Sequence, residues 1–164
     1  MTETTAVYVD GYNFYYGRIR GTPYKWIDVV RLFERLVHEQ TPTSQMTLVR
    51  YFSAFCLARF STHGNASTIA QDSFLRGHEV RHGSRFQKTM GTHTHDRSGT
   101  KMPRVVTPRR PPEAGAVAHR NMMSSLSANA HWARSHIHDE ELASCQLPDR
   151  IQTGKKPIDK PAHW

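Results

Sequence analysis

The chain has 164 residues, 37% of them hydrophobic, and a formal net charge of +8. That length suits one domain with a real core and is short for two, and the modest hydrophobic share predicts at least one long irregular stretch. With no run of eighteen apolar residues, a polar start from Met1 to Thr5 and only two cysteines (Cys56 and Cys145), a membrane span, a signal peptide, a disulfide framework and a zinc site are all unexpected. Reduced thiols in a cytoplasmic protein are the expectation.

Thr5 to Val9 is β-branched and aromatic and ends at Asp10-Gly11. It reads as a buried strand of the kind found inside a parallel sheet. Tyr12 to Ile19 can open a helix that Gly17 and Gly21 keep short. From Trp26 to Val37 apolar residues recur at spacings of three and four, with Asp28, Arg31, Glu34 and Arg35 on the other side and Thr41-Pro42 as the stop. That is a helix with one buried face. Met46 to Phe52 reads as a second strand, closed by Ser53-Ala54-Phe55. Ser67 to Arg76 reads as a helix carrying Ile69 and Phe74, with Gly77 as its C-cap and His78 to His82 as a short third strand. Strands alternating with helices predict a doubly wound α/β domain around a parallel sheet.

Beyond Phe86 the pattern dissolves. Lys88 to Gly115 holds three glycines and four prolines and no amphipathic period, so the region from Arg76 to Arg110 is expected to be mostly irregular and exposed. Met122 to Ser135 reads as a short helix carrying Leu126 and Trp132, followed by a tail. The organisation expected is an α/β part over residues 1–87, an irregular basic segment over 88–115, and a C-terminal helix and tail over 116–164 that complete the same domain. The charge is uneven: nine basic residues between Arg76 and Arg110 face only Glu79 and Asp96, whereas the flanking thirds nearly balance. Such a block attracts phosphate backbones through counterion release, and it also suits a solvated linker.

The run Val7-Tyr8-Val9-Asp10-Gly11-Tyr12-Asn13-Phe14-Tyr15-Tyr16-Gly17 resembles the first strand and turn of NYN-domain proteins, a branch of the PIN-like nucleases. The likeness continues through Gly21 to Asp28 and Tyr51 to Ala54, and reaches Gln146-Leu147-Pro148-Asp149 and Lys160-Pro161-Ala162-His163-Trp164 at the tail. The resemblance implies a PIN-like, Rossmann-type α/β sandwich and a divalent-metal-dependent ribonuclease or RNA-binding lineage. It implies Mg2+ or Mn2+ held by several carboxylates, with Asp10 as ligand and Asn13 beside it. Asp10 is also what a turn or helix cap requires. The family's other acids come from a T-E-E-K-G-S-D-V segment and an S-N-D-S-D segment, and neither stands in this chain; Lys88-Thr89, followed by Met90-Gly91, is the nearest echo of the first. The sheet is therefore expected to be incomplete, and nuclease activity to be slight or absent. Some members of the most similar subgroup are named as 6-hydroxy-3-succinoylpyridine hydroxylases, an alternative of another class; a non-catalytic remnant is a third.

Candidate RNA contacts are Arg18, Arg20, Arg81, Arg85 and Lys88. Tyr12, Phe14, Tyr15 and Tyr16 can stack single-stranded bases, or can serve in part as core. His93, His95 and Asp96 lie together without a rigid element to fix them, and His131 and His136 are five apart, off the i, i+4 pairing that joins ligands on a helix; with His138, Asp139 and Glu140 they read as polar surface. No P-loop, nucleophile elbow or G-x-G-x-x-G fingerprint is present.

Overall fold

The computed structural model describes residues 3–95, 101–104 and 136–164. Strand β1 (Glu3–Asp10) turns Thr5, Val7 and Val9 inward and leaves Ala6, Tyr8 and Asp10 exposed, the period of two that a one-sided sheet imposes. It runs parallel to β2 (Ser44–Ala54), which runs parallel to β3 (Phe86–His95); β4 (Lys101–Arg104) joins β3 antiparallel. The sheet order is β1-β2-β3-β4. The fold is therefore α/β with a parallel three-stranded centre. Among the described residues β1 pairs on one side only, so it is an edge rather than the inner strand its apolar run suggested.

The crossover between β1 and β2 carries a short helix α1 (Gly11–Phe14), a π turn (Tyr15–Ile19) and helix α2 (Val29–Gln40). Helix α2 begins later than Trp26, because the Asp28 side chain caps it by accepting from the Arg31 amide. Trp26 and Ile27 lie in the preceding segment and are fully buried all the same. Helix α2 and helix α3 (Asn65–His82) share one core with Val9, Val49, Tyr51 and Phe86 of the sheet. The other face is open among the described residues: Tyr8 is 66% exposed, stacked on Phe52, with Arg50 and Gln87 beside it.

Two sequence expectations are corrected here. Helix α3 does not stop at Gly77 and no strand forms over His78–His82. A Cβ at Gly77 would lie 2.9 Å from the Ile151 side chain, so this glycine permits close packing within the helix. Gly83, at φ +55, ends it. The basic stretch is also far from irregular over its described part, which forms the end of α3, β3 and β4. β3 lacks an apolar alternation, yet parallel pairing with β2 satisfies its backbone. The helix expected over 122–135 lies outside the described residues.

After the undescribed stretch, α4 (Asp139–Ser144) and the β5 (Arg150–Ile151)–β6 (Ile158–Asp159) hairpin return to the core. Leu142, Cys145, Leu147, Ile151 and Ile158 are all buried there. The Trp164 ring packs 6.0 Å from Trp26 and 5.6 Å from Phe74, centroid to centroid.

Candidate binding cleft at the strand ends

A cleft of about 550 Å³ opens beyond the C-terminal ends of β1 and β2. That is where open α/β sheets hold ligands. One wall is aromatic. Tyr12 and Tyr16 lie 4.5 Å apart, Tyr15 meets Tyr16 edge-on at 5.2 Å, and the Arg20 guanidinium sits 5.3 Å from the Tyr16 ring centroid. The π turn brings these rings together, and Gly21, at φ +80, turns the chain away after Arg20.

The rest of the lining comes from distant sequence. Gln71 of α3 accepts from the Cys56 amide at 2.7 Å and donates to the Ala54 carbonyl at 2.9 Å, which ties the end of β2 to the helix. His63 and His163 face each other with ring centroids 4.7 Å apart. Lys25 donates to the His163 carbonyl at 3.3 Å. The cleft wall thus holds Arg20, Lys25 and two histidines, and no Asp or Glu among the described residues. At its base Tyr51 is pushed well above the ordinary tyrosine range by burial and then by the Asp10 charge, so its phenol stays protonated. Tyr15 is raised too, by burial first and Tyr16 second.

Asp10 ends β1, exposed, at the same edge of the sheet. Gly11 and Tyr12 line the cleft, but Asp10 does not. Its two carboxylate oxygens accept from Asn13, one from the backbone amide at 3.1 Å and one from the side chain at 2.8 Å, so it caps α1. Among the described residues no three His, Cys, Asp or Glu side chains gather as a metal site would require. One capped carboxylate and an amide do not fit the multi-acid cage implied for Mg2+ or Mn2+.

Of the candidate RNA contacts, only Arg20 reaches the cleft. Arg18 donates to the Ile137 carbonyl and pairs with Asp139, fastening the tail. Arg81 pairs with buried Asp28, Arg85 with Glu34 and Lys88 with Glu79. Arg81, Arg85 and Lys88 are therefore joined to carboxylates of the fold. His136 and His138 lie 5.2 Å apart; Asp96 and His131 fall outside the described residues. Both cysteines are free thiols, with Cys145 in the core. Sequence reading missed Lys25, His63, Gln71 and His163. The signal for two of them was the Lys-Trp pair and the His-Trp tail, which carried the resemblance without a role.

No protein-family profile and no solved structure matches the chain. Among curated proteins it is similar to the 6-hydroxy-3-succinoylpyridine 3-monooxygenase HspA of Pseudomonas putida, with 26% identity over a 238-residue match that covers 98% of this chain and 75% of that protein. A match longer than this chain's 164 residues means that the relative carries segments with no counterpart here.

Proposed function

We propose that this protein binds a planar aromatic ligand bearing an anionic group in the cleft beyond β1 and β2. The supporting observation is the wall itself: tyrosine rings with Arg20 and Lys25, and no Asp or Glu among the described residues. Aromatic faces hold a flat ring, while unopposed cations favour an anion over a neutral or cationic ligand. The similar protein's name supplies the first ligand to try, since 6-hydroxy-3-succinoylpyridine joins a pyridine ring to a carboxylate chain. Reductant-dependent hydroxylation of that compound is the reaction to assay.

A second reading keeps the PIN-like lineage. Nucleotides of single-stranded RNA also pair a flat ring with an anion, and the net charge of +8 favours their approach. On this reading the chain is an RNA-binding protein whose metal-dependent cleavage is impaired for want of acids.

Titration of tryptophan fluorescence separates the two, because Trp164 lines the cleft. Saturable binding of the pyridine acid is expected, weakened by about three- to tenfold in Tyr16→Ala, the range of one aromatic contact. Binding of RNA alone, indifferent to Tyr16→Ala and steeply lost with salt, would refute the small-ligand reading. Manganese-dependent RNA cleavage abolished by Asp10→Asn would restore the nuclease.

A further inference from the structure

We propose that Lys25, His63 and His163 form a discrete anion subsite at one end of the cleft, and that the histidine pair takes up a proton as an acidic ligand binds. This inference rests on the cleft reading above and adds the orientation and charge state of the bound ligand. The tyrosine wall lies at the α1 end, so the ring and the acid of one ligand are held by different elements.

Three observations carry it. First, His163 Nε2 is buried and has no hydrogen-bond partner in the protein. A buried polar atom left without a partner is costly, and one lining a cleft awaits a group from a ligand. Second, the His63 ring stands 4.7 Å from the His163 ring, too close for both to be charged without an anion between or beside them. Third, Lys25 is spent on nothing stronger than a 3.3 Å bond to the His163 carbonyl, a neutral acceptor.

The charge balance agrees. The titratable and charged groups that line the cleft are Arg20, Lys25, Tyr12, Tyr15, Tyr16, Tyr51, Cys56, His63 and His163; Asp10 acts on Tyr51 from outside the lining, and no Asp or Glu lines the cleft among the described residues. Burial first, then His63 and Lys25, hold the His163 imidazole below the ordinary histidine range. A carboxylate arriving here replaces water with charge-assisted bonds and reverses the repulsion, so the imidazolium form becomes the stable one. Acid binding should therefore tighten as pH falls through the histidine range, and binding of an uncharged ligand of the same shape should not.

The test uses the full chain and a matched pair of probes, 3-benzoylpropionate and its primary amide, which differ by one charge. Affinities are measured by calorimetry at about pH 8 and about pH 6, in buffers of differing ionisation enthalpy so that proton uptake is counted. The acid is expected to bind at least about tenfold more tightly than the amide, with net proton uptake, and to gain affinity at the lower pH. His163→Gln and, as an exposed position less bound to the fold, His63→Gln should each erase the proton uptake and most of the preference for acid over amide. Lys25→Met should lower acid affinity at both pH values. Equal affinity for acid and amide overturns the subsite and the anion preference, and leaves standing only the cleft as the place where an aromatic ring binds. Acid preference that persists without proton uptake in both histidine variants likewise overturns it, and failure of both probes to bind overturns both readings.

Discussion

The side chain of Asp28 is fully buried, yet it is held as a carboxylate by its neighbours. It accepts from the Arg31 amide and from His82 Nε2 at 2.8 Å through one oxygen and from Arg81 at 3.1 Å through the other. Burial pushes its pKa up, but the His82 and Arg31 hydrogen bonds and the nearby imidazoles outweigh that, and the net direction is down. Next to it His78, also fully buried, accepts from the Val29 amide through Nε2 and donates from Nδ1 to the Phe74 carbonyl. Burial drives His78 down to about 4 from the usual 6.5. A histidine depressed in the folded state contributes stability that is present above its unfolded pKa and is lost as pH falls through the folded one. Stability should thus fall between about pH 6.5 and pH 4, by something on the order of 3 kcal/mol. The Asp28 contribution is lost only below its own ordinary value of 3.8, so it does not confuse that window. Urea unfolding at several pH values measures this, and a flat profile over the window contradicts it. Asp28→Asn, which leaves Arg81 without a buried counter-charge, should cost about 3 kcal/mol at neutral pH.

Among the elements, the turn from β1 into α1 depends on one close approach. A Cβ at Gly11 would stand 2.4 Å from the Tyr51 ring, and that ring is locked between Phe74 and Phe86. Gly11→Ala is expected to destabilise the protein by about 2 kcal/mol, since a rigid aromatic cannot yield as a flexible chain end can. Thermal unfolding checks this, and a change within about half a kcal/mol would show that the ring moves freely. The strand end at Asp10-Gly11 was legible in sequence; the reason for glycine there is packing rather than a special φ, for Gly11 is not among the positive-φ glycines. β1, α2 and β2 were legible because each carries its own local period. The end of α3 was not, because Gly77 imitates a cap while serving a contact with Ile151, which is distant in sequence. Nor was β3, where Gln87, Lys88 and Thr89 show no apolar alternation and only the partner strand specifies an extended backbone.

At the scale of the whole molecule, the tail completes both core and cleft. Trp26 Nε1 donates to the Pro148 carbonyl, Leu147 donates to the Trp26 carbonyl, and Arg18 holds Asp139, so 136–164 is laced across the crossover that carries the tyrosines. This is why the site could not be assembled from sequence: His63 and His163 are separated by a hundred positions of chain, and no local pattern joins them. What was legible there was the aromatic run at one wall; Asp10, also singled out in the sequence, lies outside the cleft lining. The measurement that bears most directly on the cleft as the binding site is backbone amide chemical-shift mapping with 3-benzoylpropionate and, separately, single-stranded RNA. Saturable shifts from the aromatic acid are expected at Gly11, Tyr12, Ser53, Gln71 and Trp164. Shifts confined to the open sheet face around Tyr8, Arg50 and Gln87, or a response to RNA alone, would contradict the account.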